Sequence, residues 1–226
     1  MVDPARFPFI ALEGTDGSGK STLRGLLHDG LNSKGRRCFM VGQHGWLDVD
    51  AGRVVLAART QRLGVSRDEL MRAYARDKLL HLRENIEPAL DTVAVLADRY
   101  IYSDAVYHEV LYGIPARATL ENHRELGTRE PDVVVFVDTD PDVASDRTIT
   151  RAKSLRPHET PGTLRRLHRA YVELFTGELF TAHGPRVLRV NNNESDPERV
   201  AEDVLAELEQ LFPHDHTREV ATSVIG

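Results

Sequence analysis

At 226 residues, with a net charge of −6 and a pI near 5.9, the chain has the length of one large α/β domain. It carries the wrong charge for a main partner that is a nucleic-acid polymer or an anionic membrane surface. The single cysteine, Cys38, excludes a disulfide within the chain and fits a reducing compartment. The start, Met1-Val2-Asp3-Pro4-Ala5-Arg6, has no charged region followed by an apolar signal core, and no apolar run approaches the ~20 residues of a membrane span. The expected location is therefore the cytoplasm.

Phe9 begins a short apolar strand that runs into Glu13-Gly14-Thr15-Asp16-Gly17-Ser18-Gly19-Lys20-Ser21-Thr22. Gly14 to Ser21 matches G-x-x-x-x-G-K-[S/T], with a strand before it and a helix after it, as a phosphate-binding loop requires. Glycines let successive N–H groups turn inward with no Cβ in the way of phosphate oxygens. Lys20 is then placed to bridge β- and γ-phosphates, the Ser21 hydroxyl to ligate Mg²⁺, and the following helix to lend its positive end. The implied ligand is MgATP, held by Gly14, Thr15, Asp16, Gly17, Ser18, Gly19, Lys20, Ser21 and Thr22.

Leu23, Leu26, Leu27 and Leu31 give the next segment a helical stripe ending near Gly35. Arg37 to Val41 reads as a second strand, and Gly42 to Asp48 as an irregular stretch at its carboxyl end, where ligands sit in open α/β sheets. Ser66 and Glu69 form a capping box opening a long helix with apolar positions through Leu90 and a kink expected at Pro88. Val93 to Leu96 is a third strand, unbroken and apolar, that delivers Asp98-Arg99-Tyr100. Asp98 ends a buried strand beside the expected metal, so its carboxylate can join Ser21 as a ligand; a helix or turn cap is the plainer alternative.

Helices are expected over Ser103 to Leu111 and Ala116 to Leu126, a fourth strand over Val133 to Val137, and a helix over Asp140 to Thr150. Then come Arg151, Lys153, Arg156, Arg165, Arg166 and Arg169, interrupted by Pro157, Pro161 and Gly162. This reads as a mobile basic lid at about 150–162 between two helices. Val187 to Val190 is a fifth strand, Pro197 to Leu211 an amphipathic helix, and residues 213–226 a loosely held tail. Five strands alternating with helices give a single domain over residues 1–212, a parallel sheet covered on both faces.

With these motifs in order, the chain resembles the thymidylate kinase family of nucleoside monophosphate kinases. The further parallels are Ile86-Glu87-Pro88-Ala89-Leu90, the spacing from Asp98 through Ser103 to Tyr107, and Pro131-Asp132 before the fourth strand. The resemblance covers nearly everything from Phe9 to Leu211. It implies a P-loop kinase fold with strand order 2-3-1-4-5, commonly a homodimer, that moves the γ-phosphoryl of MgATP to a small nucleotide acceptor. It also places Arg99 on the acceptor phosphate, Arg151 and Arg156 as catalytic lid arginines, Arg147 along the adenine ring, and Asp16 at the acceptor's sugar hydroxyl or a metal-bound water. In the same way it places Ser103 and Tyr107 at the acceptor and sets Lys78 where the family usually has arginine. A solvated basic face is the plain alternative for the lid arginines, and His81 reads as a packing residue.

The departures fall on the acceptor side. Gln43-His44-Gly45-Trp46 replaces Arg-Glu-Pro-Gly, His108 replaces a glutamine, and Asp104 stands where a neutral or small residue meets the pyrimidine edge. An ionised carboxylate only accepts hydrogen bonds, which disfavours a thymine edge; capping a helix toward solvent is the alternative for Asp104. Two other readings stay open. A kinase acting on a hydroxyl would want a carboxylate near the end of the second strand, where this chain offers Gln43 and His44. A non-catalytic nucleotide-dependent binding protein would need fewer lid arginines.

Overall fold

The computed structural model describes residues 7–60, 64–151, 156–177, 184–194 and 196–213. Five strands, Phe9–Glu13 (β1), Cys38–Val41 (β2), Ala94–Asp98 (β3), Val133–Asp138 (β4) and Arg186–Asn191 (β5), form one sheet in the order β2-β3-β1-β4-β5. Every neighbouring pair is parallel. The expected P-loop kinase fold, with helices over both faces, is the one observed. Leu12 lies opposite Asp98 in the register, so the glycine-rich loop after β1 and the Asp98-Arg99-Tyr100 turn leave the sheet side by side.

Strands buried on both faces read as continuous apolar runs, and each face feeds a separate core. Ile10, Leu12, Leu96, Val133 and Val135 pack with Leu23, Leu27 and Leu31 of Lys20–Ser33 (α1) and with Val204, Leu205 and Leu208 of the closing helix Pro197–Leu211 (α9). Phe9, Ala11, Val95, Val134 and Phe136 pack on the other face with Leu164, Leu167 and Tyr171. Each fully buried Leu, Val or Phe contributes about 1.5–3 kcal/mol to holding this frame.

The capping box closes as the spacing predicts: Glu69 N–H donates to Ser66 Oγ at 3.3 Å, and Ser66 N–H to Glu69 Oε2 at 3.1 Å, opening Arg67–His81 (α3). The irregularity expected at Pro88 lies upstream. A π-helical turn, Leu82–Ile86, precedes the short helix Glu87–Leu90 (α4), and Glu87 N–H reaches back to the Leu82 carbonyl. Proline removes a donor from the α-ladder, and widening one turn before it absorbs the mismatch. A second π-turn, His108–Tyr112, follows Ile101–Tyr107 (α5) and stops at Gly113, whose φ of 65° suits a left-handed terminus.

One helix goes beyond the sequence expectation. Val49–Thr60 (α2) starts where Asp48 accepts the Ala51 N–H at 2.9 Å, and it buries Ala51, Val55 and Ala58 against Leu70 and Tyr74 of α3. The signal was a capping aspartate before a weak apolar stripe. Ala116–Glu125 (α6), Pro141–Thr150 (α7) and Pro161–Thr176 (α8) are the other α-helices among the described residues. Lys153 of the basic stretch and the tail beyond residue 213 lie outside the described residues. Cys38 is half-buried at the start of β2, and burial pushes its thiol up to about 12, so it stays protonated.

Candidate active site

The loop between β1 and α1 has the shape its glycines permit. Gly14, Gly17 and Gly19 take φ of 146°, 81° and 90°. A Cβ on Gly17 would stand 2.0 Å from the Ala144 carbonyl oxygen, and one on Gly14 2.7 Å from that of Val137, so no other residue fits here. The Ser18 carbonyl accepts from Asn192 Nδ2 at 2.7 Å and Thr139 Oγ1 at 3.1 Å, which ties the loop to the ends of β5 and β4.

Lys20 curls back over this cup, its Nζ donating to the Thr15 carbonyl and, at 3.1 Å, to Ser18 Oγ. Burial, then the positive charge of Arg99, lower its pKa to about 7 against the opposing pull of Asp16 and Asp98. Thr15 Oγ1 is buried with no hydrogen-bond partner, and no side chain caps the start of α1. Ser21 Oγ donates to Asp98 Oδ2 at 3.2 Å, with Arg24 Nη1 at 3.8 Å from the same oxygen. A desolvated lysine, an orphan hydroxyl, uncapped helix N–H groups and a hydroxyl–carboxylate pair fit a triphosphate carrying a hard divalent cation. Ser21 and Asp98 would hold the cation and supply two of its oxygens, the remainder coming from phosphates and water.

Arg99 docks on the loop itself. Its backbone sits at φ 71°, a costly conformation for a side-chain-bearing residue. Nη1 donates to the Gly14 carbonyl at 2.6 Å, Tyr171 OH at 3.0 Å and Ser103 Oγ at 3.2 Å, while Nη2 donates to Asp16 Oδ1 at 2.9 Å. The Tyr107 ring lies 4.9 Å from the guanidinium carbon, and its hydroxyl donates to Asp16 Oδ2 at 2.6 Å. Burial would raise the Asp16 pKa, but Arg99, His158, Lys20 and Tyr107 hold it well below the usual carboxylate range. Beneath them Glu13 accepts from the Tyr100 N–H at 2.8 Å and from Ser103 Oγ. Burial raises its pKa to about 7, against the hydrogen bond from Ser103 and the charge of Arg99.

Asp104 is fully buried and caps nothing, so the solvent-facing cap is excluded. Gln43 Nε2 donates to its Oδ1 at 2.8 Å, and Lys78 Nζ and His123 Nε2 stand 3.4 and 3.5 Å from Oδ2 without hydrogen-bonding geometry. Burial opposes its ionisation, and Lys78 with His123 overcomes that and keeps the pKa low. His44 Nδ1 pairs with Asp77 Oδ2 at 2.8 Å, and the Tyr74 ring lies between His44 and His108 with centroids 5.3 and 4.6 Å away. His108 Nδ1 meets Thr119 Oγ1 at 3.1 Å, and burial lowers its pKa to about 4. Asp104 Oδ2 and the Nε2 atoms of His44 and His108 are buried without hydrogen-bond partners. His81 is buried, and its Nε2 is 3.0 Å from the Gly42 carbonyl, which holds the chain after β2.

The basic stretch divides. Arg151 is exposed at the end of α7, whereas Arg156 Nη1 comes within 3.7 Å of Asp16 Oδ1. Arg165 makes an exposed ion pair with Asp142 and Arg166 donates to the Val110 carbonyl at 2.7 Å, so both have partners away from the loop. Arg147 donates to the carbonyls of Asn192, Asn193 and Glu194 through its edge, which leaves the guanidinium faces clear of those bonds. Three residues missed in the sequence belong to the cluster: Glu13, Tyr171 and His158. Glu13 had a signal, a charge ending an apolar strand; Tyr171 looked like an ordinary apolar helix position; His158 was masked by the arginines around it.

A family model for thymidylate kinase matches residues 12–193. A thymidylate kinase of Symbiobacterium thermophilum is 30% identical over 211 residues, covering 91% of this chain and 94% of that one. One of Nitratidesulfovibrio vulgaris is 30% identical over 206 residues, with 87% and 94% covered. One of Leptospira borgpetersenii is 28% identical over 177 residues, with 78% and 85% covered.

Proposed function

The chain belongs to the thymidylate kinase family, and from that premise we propose that it transfers the γ-phosphoryl group of MgATP to the phosphate of a nucleoside monophosphate in the cytoplasm. One observation carries the reading: Arg99, the cation for the acceptor phosphate, is docked 2.6 Å from the Gly14 carbonyl of the loop that would hold the donor. Two anions brought to Lys20 and Arg99 meet across a single loop.

Phosphoryl transfer needs alignment and positive charge more than covalent help. Lys20 neutralises charge on the donor phosphates, Ser21 and Asp98 hold the cation, and Arg99 fixes the acceptor phosphate. Arg156 brings further charge as the lid closes, and Arg151, exposed at the end of α7, is the second lid arginine of this proposal. When bound, Mg²⁺ offsets the charge shared by the β- and γ-phosphates. An acceptor phosphate is already anionic near neutral pH, so no general base is required. Asp16 stays ionised and positions the acceptor's sugar through the Tyr107 contact.

His44, Lys78, Ser103, Asp104, Tyr107 and His108 are proposed to shape the rest of the acceptor site. A homodimer is part of the proposal; Val49 and Leu56, exposed on α2, give apolar surface for it. Among the described residues no helix is long and apolar enough to cross a membrane. ADP release from MgATP, measured against nucleoside monophosphates and nucleosides side by side, tests the reading. Saturable turnover with a monophosphate supports it, and turnover with nucleosides alone replaces it with a hydroxyl-directed kinase.

A further inference from the structure

Of the lid groups that reach the site, the one buried against it is a histidine. His158 is 7% exposed, as is Asp16 beneath it, whereas the side chain of Arg156 keeps 48% of its surface. His158 Nε2 lies 3.3 Å from Asp16 Oδ2, the oxygen that also accepts from Tyr107. Its ring meets the Tyr107 ring edge-on, centroids 5.6 Å apart and planes at 87°. Asp16 is ionised and can only accept. The shared proton is therefore on the imidazole, and His158 donates.

Local structure holds this donor in place. Glu159 Oε2 accepts the Arg156 N–H at 2.6 Å, the Arg156 carbonyl accepts the Glu159 N–H at 2.9 Å, and the His158 carbonyl accepts the Thr160 N–H at 2.9 Å. Thr160 then caps α8, accepting from the Thr163 N–H at 3.3 Å. The turn carrying His158 is thus continuous with a sixteen-residue helix whose inner face is in the core.

We infer that His158 is a positioning residue that links the lid to the acceptor site through the carboxylate of Asp16. That carboxylate holds Arg99 on one oxygen and Tyr107 with His158 on the other, so the lid's position and the orientation of the acceptor's arginine are set by one group. With His158 seated on Asp16, that carboxylate is tied to the turn before α8 while its other oxygen holds Arg99 against the loop. The inference rests on the kinase reading above.

The test uses the full chain and five variants, His158→Ala, His158→Gln, His158→Phe, Asp16→Asn and the double His158→Ala/Asp16→Asn. Two readouts are taken: ADP release with MgATP and the nucleoside monophosphate that the parent turns over best, and the rate of tryptic cleavage after Arg151 without nucleotide, the Arg156–Pro157 bond being resistant to trypsin. His158→Ala should lower kcat about tenfold with the KM for MgATP within about twofold, and raise tryptic cleavage about fivefold. Glutamine, with a donor of similar reach, should restore most of both. Phenylalanine, which keeps the ring but not the donor, should not. The two substitutions share the His158–Asp16 contact, so cleavage in His158→Ala/Asp16→Asn should rise by less than the two single effects combined. Unchanged kcat in His158→Ala, full activity in His158→Phe, or additive cleavage rates would each overturn the inference. A parent enzyme inactive on every monophosphate would instead fail the kinase reading, while the cleavage readout still decides whether His158 holds the lid.

Discussion

Lys78 Nζ stands 3.4 Å from Asp104 Oδ2, with no part of either side chain exposed. Neither charge is tolerable there without the other, since removing one partner of a buried pair costs about 3–5 kcal/mol. Asp104→Asn and Lys78→Met should each lower unfolding stability by that order, and the double variant should lose less than the sum. Denaturant titration of the four proteins checks this. An amide at Asp104 can also donate, so the ratio of kcat/KM for thymidine over cytidine monophosphate should rise in Asp104→Asn when the two compete. A constant ratio confines Asp104 to holding Lys78.

Much of this frame was readable because it rests on local rules. The glycine-rich loop, the continuous apolar strands and the Ser66–Glu69 box each declare themselves within a few residues. The acceptor side depends instead on contacts between distant segments. Asp104 meets Gln43 and His123, and Asp16 meets His158, 142 positions away. Nothing near Asp104 in sequence announces a buried lysine, which is why capping looked as plausible as base contact. The π-turns escaped for a related reason: one wider turn leaves the hydrophobic period almost unchanged.

Lys20, lowered to about 7 by burial and by Arg99, should take up a proton when phosphates arrive. Above pH 7 a growing fraction of the free enzyme is neutral there, and a bound triphosphate favours the ammonium. Calorimetry of MgATP binding at pH 8, in two buffers of different ionisation enthalpy, should show uptake of up to about one proton, absent in Lys20→Arg. Equal heats in the two buffers would contradict it.

Glu13, raised to about 7 by burial, binds its proton more tightly folded than unfolded. Between pH 4.5 and about 7 the unfolded chain has lost that proton and the folded chain has kept it. Stability therefore falls as pH rises through this window and then levels, by about 3 kcal/mol in all. Glu13→Gln mimics the protonated acid and should remove the fall. The depressed Lys20 works in the opposite sense above pH 7 in both proteins, with Glu13 among the charges that raise it. Melting temperatures at pH 5 and pH 7.5 should separate the variant from the parent more at the higher pH; a constant gap would deny the buried acid.

Arg156 reaches within 3.7 Å of Asp16 while Arg151 stays exposed. Arg156→Ala should depress kcat by about tenfold or more, with a smaller change in the KM for the acceptor, because its charge is realised fully only on closure. Arg151→Ala should be milder. Steady-state kinetics of both variants orders the two, and unchanged kcat in both would remove the arginines from catalysis.

The central claim, that the cup around Lys20 holds the phosphoryl donor for a nucleoside monophosphate, is tested most directly by ADP release in the parent and Lys20→Ala, with and without monophosphate. The account predicts monophosphate-dependent turnover in the parent and a loss of about a hundredfold or more in the folded variant. Near-normal turnover in Lys20→Ala, or ADP release indifferent to every monophosphate, would contradict it.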